Sequence, residues 1–271
     1  MGVILVIGVI IVIIYWIGSY IVDNDEKIKK ENEQIRLSKA FDERIELENK
    51  ILVDLTNSIN SLANNSNSSP IEIEINGLPI DFQDKEYTAI DFETANKSPL
   101  SAISLGIAHF KGNSLVSVHE FNFSPIHDEN LESNDYEFTK VHGLTRENIS
   151  HLKPISEQWD EIEKHLNKRH LVAHNAEFDL EVLKETLTSI GKELKGVTFS
   201  CTYKLAKRFM RYESSYKLEN LCLNNRIPYW NHQAGFDAVS AGILFMKCIS
   251  LVPNGATSDT AMNGRKVKLT N

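Results

Sequence analysis

The chain has 271 residues and a formal net charge of −8 at pH 7, which excludes a broad nucleic-acid-coating basic surface but leaves room for a local acidic site neutralised by metal. Its 42% apolar content supports a sizeable core in one or two domains. The three cysteines, Cys201, Cys222 and Cys248, lie far apart, show no disulfide or zinc spacing, and suit a reducing compartment.

Gly2 to Val22 is uncharged and almost wholly apolar, and as a helix it would reach roughly 30 Å, the thickness of one hydrocarbon core. No Lys or Arg precedes it, and Gly18-Ser19-Tyr20 is a poor cleavage site, so the expectation is an uncleaved transmembrane anchor over 2–22 rather than a signal peptide. Val6 stands where myristoylation of Gly2 would need Ser or Thr. Lys27, Lys29, Lys30, Arg36 and Lys39 all follow the run, and Tyr15, Trp16 and Tyr20 cluster at the same end. The positive-inside rule then places the rest of the chain in the cytoplasm, as a single-pass protein of an inner or plasma membrane.

Residues 23–63 are charged with a recurrent apolar seam at Phe41, Ile45, Leu52, Leu55, Ile59 and Leu62. The spacing predicts a helix. Either it forms a short coiled coil, giving a homodimer through 41–62, or it rests on its own domain, and Glu48 interrupts the seam. Asn64 to Pro70 is polar and ends in proline, a linker and domain boundary. Ile71 to Ile75 alternates strictly and Asn76-Gly77 signals a turn, which predicts a small β-hairpin over 71–85.

From Tyr87 the pattern reads as strands at 87–94, 102–110 and 114–123, a loop, a helix near 155–167, a strand at 170–173, a helix at 176–190 and a strand at 196–201. Helices near 202–211, 216–225 and 235–250 follow. Three consecutive strands followed by alternating helix and strand predict an α/β domain over 86–252 with a mixed sheet flanked by helices. Lys111-Gly112-Asn113 makes the turn between the second and third strands, so those pair antiparallel. Residues 253–271, with little apolar content, read as a disordered tail.

The first strand carries Asp91 and Glu93, which at i and i+2 share one face. Two like charges at the end of a buried strand both ionise comfortably only around a cation, which points to a divalent-metal site; an alternating edge strand with a solvated acidic face would look the same. His174-Asn175-Ala176-Glu177-Phe178-Asp179 is a strand-to-helix junction, where Asn175 can serve as N-cap and Asp179 on the first helical turn can face back over the strand ends. His232 and Asp237 stand at the start of the last helix. Alone, they read as readily as a capped surface histidine.

Taken in this order, Asp91-x-Glu93-Thr94, His174-Asn175-Ala176-x-Phe178-Asp179 and His232-x4-Asp237 resemble the DEDDh family of 3′→5′ exonucleases, which includes the proofreading epsilon subunit of bacterial replicative polymerase. The resemblance spans about Tyr87 to Ser250. Ser98 to Ile107 looks like the family's second strand, and Val141-His142-Gly143-Leu144-Thr145 like its substrate-contacting loop. It implies a ribonuclease-H-like fold in which Asp91, Glu93, Asp179 and Asp237 hold two divalent cations. Asp91 would bridge them, with Glu93 and Asp237 on the nucleophile-side ion and Asp179 toward the leaving-group ion. Oxygen-only ligands suit Mg²⁺ or Mn²⁺.

The resemblance further implies that His232 is the general base and that Thr94, His142, Leu144 and Asn175 contact substrate, with Leu144 wedged beside the terminal base. The partners it implies are 3′ ends of single-stranded DNA or RNA, and it does not name a polymerase. The basic residue often found after the family's histidine is missing from His232-Gln233-Ala234-Gly235, which bears on a phosphate contact rather than on the base. Lys204, Lys207, Arg208, Arg211 and Lys217, interleaved with Tyr203, Phe209, Tyr212 and Tyr216, offer a phosphate path or else a solvated helix face. Against the enzyme stand two alternatives: a non-catalytic module that binds strand ends with the same fold, and a coiled-coil scaffold at the membrane.

Overall fold

The computed structural model describes residues 54, 57–59, 61–62, 69–126, 136–229, 232–252 and the backbone of 265–266. The chain divides into a unit of Met1–Asp54, of which only Asp54 is described, and a unit of Leu55–Asn271 that holds everything below. The expected anchor over 2–22 and the seam positions Phe41, Ile45, Leu52 and Leu55 lie outside the described residues. Among the described residues no helix is long and apolar enough to cross a membrane.

A seven-stranded mixed sheet organises the domain, in the order β1-β4-β3-β2-β5-β6-β7. The strands are β1 (Ile71–Glu72), β2 (Glu86–Thr94), β3 (Ala102–Lys111), β4 (Ser114–Asn122), β5 (His170–Ala173), β6 (Thr198–Cys201) and β7 (Arg265–Lys266). β2, β3 and β4 form an antiparallel meander, and β5 and β6 continue it in parallel with β2. The left-handed Gly112, at φ +56°, makes the expected turn between β3 and β4. Helices α1 (Thr139–His142), α2 (Arg146–Ile149), α3 (Ile155–Leu166), α4 (Glu177–Ile190), α5 (Thr202–Phe209), α6 (Leu218–Asn225) and α7 (Ala234–Ser250) complete the domain. The three-strand start and the alternating helices and strands agree with the mixed α/β plan expected from sequence.

Alternation along β2 decides what lies on each side. Tyr87 and Ala89 face a core shared with α7, where Tyr87 stacks on Phe110 at 4.9 Å. Ile90 and Phe92 face the other core, against α3 and α4. α3 joins it through Ile155, Trp159, Ile162 and Leu166, spaced three or four residues apart on one buried stripe. Each such side chain contributes about 1.5–3 kcal/mol relative to exposure. α7 is buried along most of its length, because it lies across β2 and β3.

Three expectations about the flanks are corrected. Residues 71–85 are no hairpin: β1 pairs antiparallel with β4, Ile71 opposite Leu115, and Ile80–Phe82 is a 3₁₀ turn that buries Phe82 in the α7-side core. The ladder edge of β4 was open to it, and a non-local partner that also buries Ile73 and Phe82 wins over a two-strand ribbon. The tail is not wholly without structure, since Arg265–Lys266 pairs antiparallel with Thr198 and Phe199 and closes the β6 edge. At the end of the predicted seam, Ile59 and Leu62 are buried in the domain's own core beside Ile73 and Phe82. Those two positions are spent within one chain and are not available to a dimer seam.

Candidate active site

The site forms where the carboxyl end of β2 meets the first turns of α4 and α7. Asp91 and Glu93 share the α7 face of β2, as their spacing requires. Asp179, on the first turn of α4, is 2% exposed and accepts a hydrogen bond from the Phe92 backbone N–H at 3.1 Å, so its carboxylate lies against β2 between the other two. Asp237, in the first turn of α7, is buried, with His232 just upstream in a left-handed conformation at φ +55°.

What lets α7 start there is Gly106. It sits opposite Asp91 on β3, and a Cβ at that position would lie 1.8 Å from the Ala234 carbonyl oxygen. The missing side chain allows the helix N-terminus to rest directly on the sheet and brings Asp237 over Asp91. From β4, the Glu120 carboxylate accepts the Gly235 backbone N–H at 3.1 Å, satisfying one free donor of the same helix end.

Electrostatics bind the acids into one group. Burial, then Asp237, Asp179, Glu93 and Glu120, push the Asp91 carboxyl well above its ordinary range. Burial and Glu120 raise Glu93 to about 7. Burial raises Asp179 to about 7 and, with Glu93, raises Asp237 to about 8. No lysine or arginine among the described residues forms an ion pair with any of the four. The basic side chain beside them is His232, whose Nδ1 stands 3.8 Å from the Glu93 Oε1. Two buried polar atoms here lack a partner, Asp237 Oδ1 and the hydroxyl of Ser104, the residue opposite Glu93 on β3. Repelling carboxylates with an orphaned acceptor and no protein cation are what a divalent-ion site presents before it is loaded. One atom each from Glu93, His232 and Asp237 falls within a 4.8 Å cluster.

His232 titrates below its ordinary value because it is partly buried, with Glu219 acting in the opposite direction. Its imidazole is therefore neutral at pH 7. His142, by contrast, is tied down: its Nδ1 accepts the Leu144 N–H at 3.0 Å and its Nε2 donates to the Thr94 carbonyl at 3.2 Å. This pair links the 141–145 loop to the end of β2. Leu144 is half-buried against Ala95, Ile103, Tyr136 and Ile149, on a turn made by the left-handed Gly143 at φ +76°. Thr145 caps α2 through a reciprocal pair with Asn148.

The structure differs from expectation at Asn175. It is exposed and left-handed at φ +57°, and the N-cap of α4 is Ala176, so Asn175 does not cap the helix and its side chain is free to face the cleft. The preceding His174 is structural: Nε2 donates to the Tyr216 carbonyl at 3.0 Å and Nδ1 meets the Thr202 hydroxyl at 2.9 Å. The basic face of α5 is largely engaged, with Lys204 paired to Glu177 and Lys207 over the Tyr203 ring at 4.4 Å. Sequence reasoning missed Gly106, Ser104 and Glu120. Only the first left a signal, a glycine inside an apolar strand.

Comparison with known proteins now has a geometry to stand on. A family profile described as Exonuclease, RNase_T, matches residues 88–245. The chain belongs to this exonuclease family. Curated relatives include the PolC-type DNA polymerase III of Mycoplasmopsis pulmonis, 27% identical over 194 residues that make up 70% of this chain and 13% of that protein. That of Clostridium perfringens is 28% identical over 183 residues, 67% of this chain and 12% of that protein. The exonuclease thus spans about an eighth of the length of these relatives. Among solved structures, exonuclease X in complex with 5′ overhanging duplex DNA matches with a TM-score of 0.50 at 19% identity, covering 65% of this chain and 98% of that one. E. coli exonuclease I in complex with a dA16 oligonucleotide matches with a TM-score of 0.52 at 14% identity, covering 66% and 42%. These likenesses carry the fold, which is ribonuclease-H-like. The matched stretch, residues 88–245, is thus a DEDDh-type exonuclease domain, of a family of metal-dependent 3′→5′ exonucleases that use two divalent cations.

Proposed function

We propose that this exonuclease trims 3′ ends of single-stranded DNA to nucleoside 5′-monophosphates, tethered to the cytoplasmic face of an inner or plasma membrane. The single observation that carries the catalytic part is the acid cluster: two buried carboxylates, Asp179 and Asp237, beside the half-buried Asp91 and Glu93, all raised by burial and by neighbouring acids, with no lysine or arginine among the described residues to neutralise them. Asp91, Glu93, Asp179 and Asp237 are the ligands of the two cations. Asp91 responds to the charge of each of the other three, which supports it as the shared ligand. When bound, the two ions lower the pKa of a water and stabilise the departing 3′ oxygen.

The chain's own residues do the rest. His232 lies beside Glu93 and Asp237, on the side where the nucleophile would be held, and its partly buried imidazole is free to take a proton at neutral pH. The His142 clamp on Thr94 holds the 141–145 loop so that Leu144 offers an apolar edge to the terminal base. Asn175, exposed at the strand end, is placed to touch the phosphate backbone. DNA is favoured over RNA because the curated relatives are DNA polymerases.

The tether rests on the apolar, uncharged run of 2–22 and the lysines that follow it. The test is release of mononucleotides from matched 3′-labelled DNA and RNA strands by the detergent-solubilised chain, with Mg²⁺, Mn²⁺ or chelator. Metal-dependent release from DNA is expected. Its absence with either metal, in a folded protein, contradicts the reading. Carbonate-resistant association with membranes, with the C-terminal bulk open to protease in inverted vesicles, tests the tether separately.

A further inference from the structure

On the opposite face of the sheet, three imidazoles from three elements converge. His109 on β3, His119 on β4 and His165 in the last turn of α3 each offer a ring nitrogen, and these atoms fall within 4.8 Å of one another. The ring centroids lie 4.2 Å apart for His119 and His165, 5.1 Å for His109 and His165, and 5.8 Å for His109 and His119. All three residues are half-buried, so the cluster opens to solvent on one side. We propose that His109, His119 and His165 form a second metal site, for Zn²⁺ or a similar borderline divalent ion, chemically distinct from the carboxylate site.

The outer contacts of the three rings support this assignment. His109 Nδ1 meets the Thr88 hydroxyl at 2.9 Å, which leaves Nε2 facing His165 Nδ1 at 2.9 Å. His119 Nε2 meets the Ser117 hydroxyl at 3.1 Å and leaves Nδ1. His165 Nε2 stands 3.9 Å from the Glu161 carboxylate, an acceptor for the proton that metal binding would displace from Nδ1. Two of the rings thus have a hydroxyl oxygen behind them at hydrogen-bond distance, the arrangement that orients metal-bound histidines, and the third has a carboxylate 3.9 Å away. Burial, His165, Arg169 and His119 lower the His109 pKa to about 3. Of the two cations whose charge reaches this cluster, Arg169 is held by Glu86 at 3.0 Å and Lys164 pairs with Glu161.

A tetrahedral zinc with Zn–N near 2.0–2.1 Å spaces its ligand nitrogens roughly 3.3–3.4 Å apart. The cluster brackets that value, with one pair at 2.9 Å and the widest within 4.8 Å, so small side-chain rotations suffice. Three nitrogens would leave a fourth position to water at the open side. Imidazole selects zinc, nickel or copper, whereas carboxylate oxygens suit magnesium and manganese, so the two sites sort different ions. A bound ion would pin the end of α3 to the β3–β4 ribbon.

The test is zinc retained by the full chain in detergent after dialysis, measured for the wild type, His119→Asn and His165→Asn, each in a background carrying Asp91→Asn and Asp237→Asn so that the carboxylates bind little. The expected result is one equivalent of zinc in the parent and its loss in both histidine variants, with a zinc-dependent rise in Tm confined to the parent. Ser117→Ala keeps all three ligands and is expected to weaken retention on the order of tenfold, which guards against a folding defect in the histidine variants. Equal zinc content in the parent and both histidine variants, all with unchanged circular dichroism, would overturn the proposal. So would no retained zinc in the parent.

Discussion

Thr88 and Asp91 lie three residues apart on β2, and each looks into a different cluster of metal-binding side chains. On the α7 face, four carboxylates crowd together with raised pKa values and an orphaned oxygen. On the α3 face, three imidazoles cluster, His109 hydrogen-bonding to His165 and to the Thr88 hydroxyl and His119 to the Ser117 hydroxyl, and burial lowers their pKa values. Burial penalises charge in both places, but the outcome is opposite. A neutral imidazole is tolerated when buried, so the histidine cluster needs no cation to be stable, although it offers ring nitrogens to one. Buried carboxylates remain frustrated until a cation arrives, and that frustration is the stronger mark of function.

The largest effect that would sharpen this contrast is Asp91→Asn. Turnover should fall by on the order of 10³-fold or more, with zinc retention at the histidines unchanged. His232→Ala should lower kcat by about 10²–10⁴-fold with manganese binding kept, as loss of a general base requires; a variant that loses manganese as well would make His232 a ligand instead. Gly106→Ala should destabilise the domain by on the order of 1–3 kcal/mol and lower activity together, since the added carbon would strike the Ala234 carbonyl. Circular dichroism melts alongside activity check both. A mild change comes from Glu120→Gln: the Gly235 hydrogen bond weakens and Glu93 loses a repelling neighbour, so kcat/KM should fall only a few-fold while the acidic limb of the pH profile moves to lower pH.

Stability should follow pH with a sign set by the acids. Asp237 is raised from 3.8 to about 8 in the fold, so the native state binds more protons than the unfolded chain between these values. Its contribution is therefore lost as pH climbs from about 4 to about 8. Buried neutral histidines such as His170, lowered to about 4, act in the opposite direction below pH 6.5. The clean comparison is Asp237→Asn against the parent without metal: the variant should melt higher at pH 8 and lose that advantage near pH 4. Saturating Mg²⁺ should reverse the order at pH 8.

Much of this was legible in the chain because it is carried by local spacing. Asp91 and Glu93 two apart fix a shared face, the stripe of Ile155, Trp159, Ile162 and Leu166 fixes a helix, and Lys111-Gly112-Asn113 fixes an antiparallel pair. What failed was non-local. Ile71 to Ile75 has the alternation of a strand, but nothing in it says that its partner is Leu115 rather than its neighbour across Asn76-Gly77. Arg265 and Lys266 have a polar composition that hides an edge pairing with β6. Ile59 and Leu62 read equally well as a dimer seam or as core. Glu120 reaches Gly235 across 115 positions, and His109, His119 and His165 have no motif spacing at all, so only the fold brings them together.

The most direct test of the central claim is manganese titration of the chain and its Asp91→Asn variant, read in parallel with mononucleotide release from a 3′-labelled single strand. Two ions bound per chain in the parent, with release that rises as they bind and both lost in the variant, is the result the acid cluster predicts. Release that persists in Asp91→Asn, or in chelator, would contradict it.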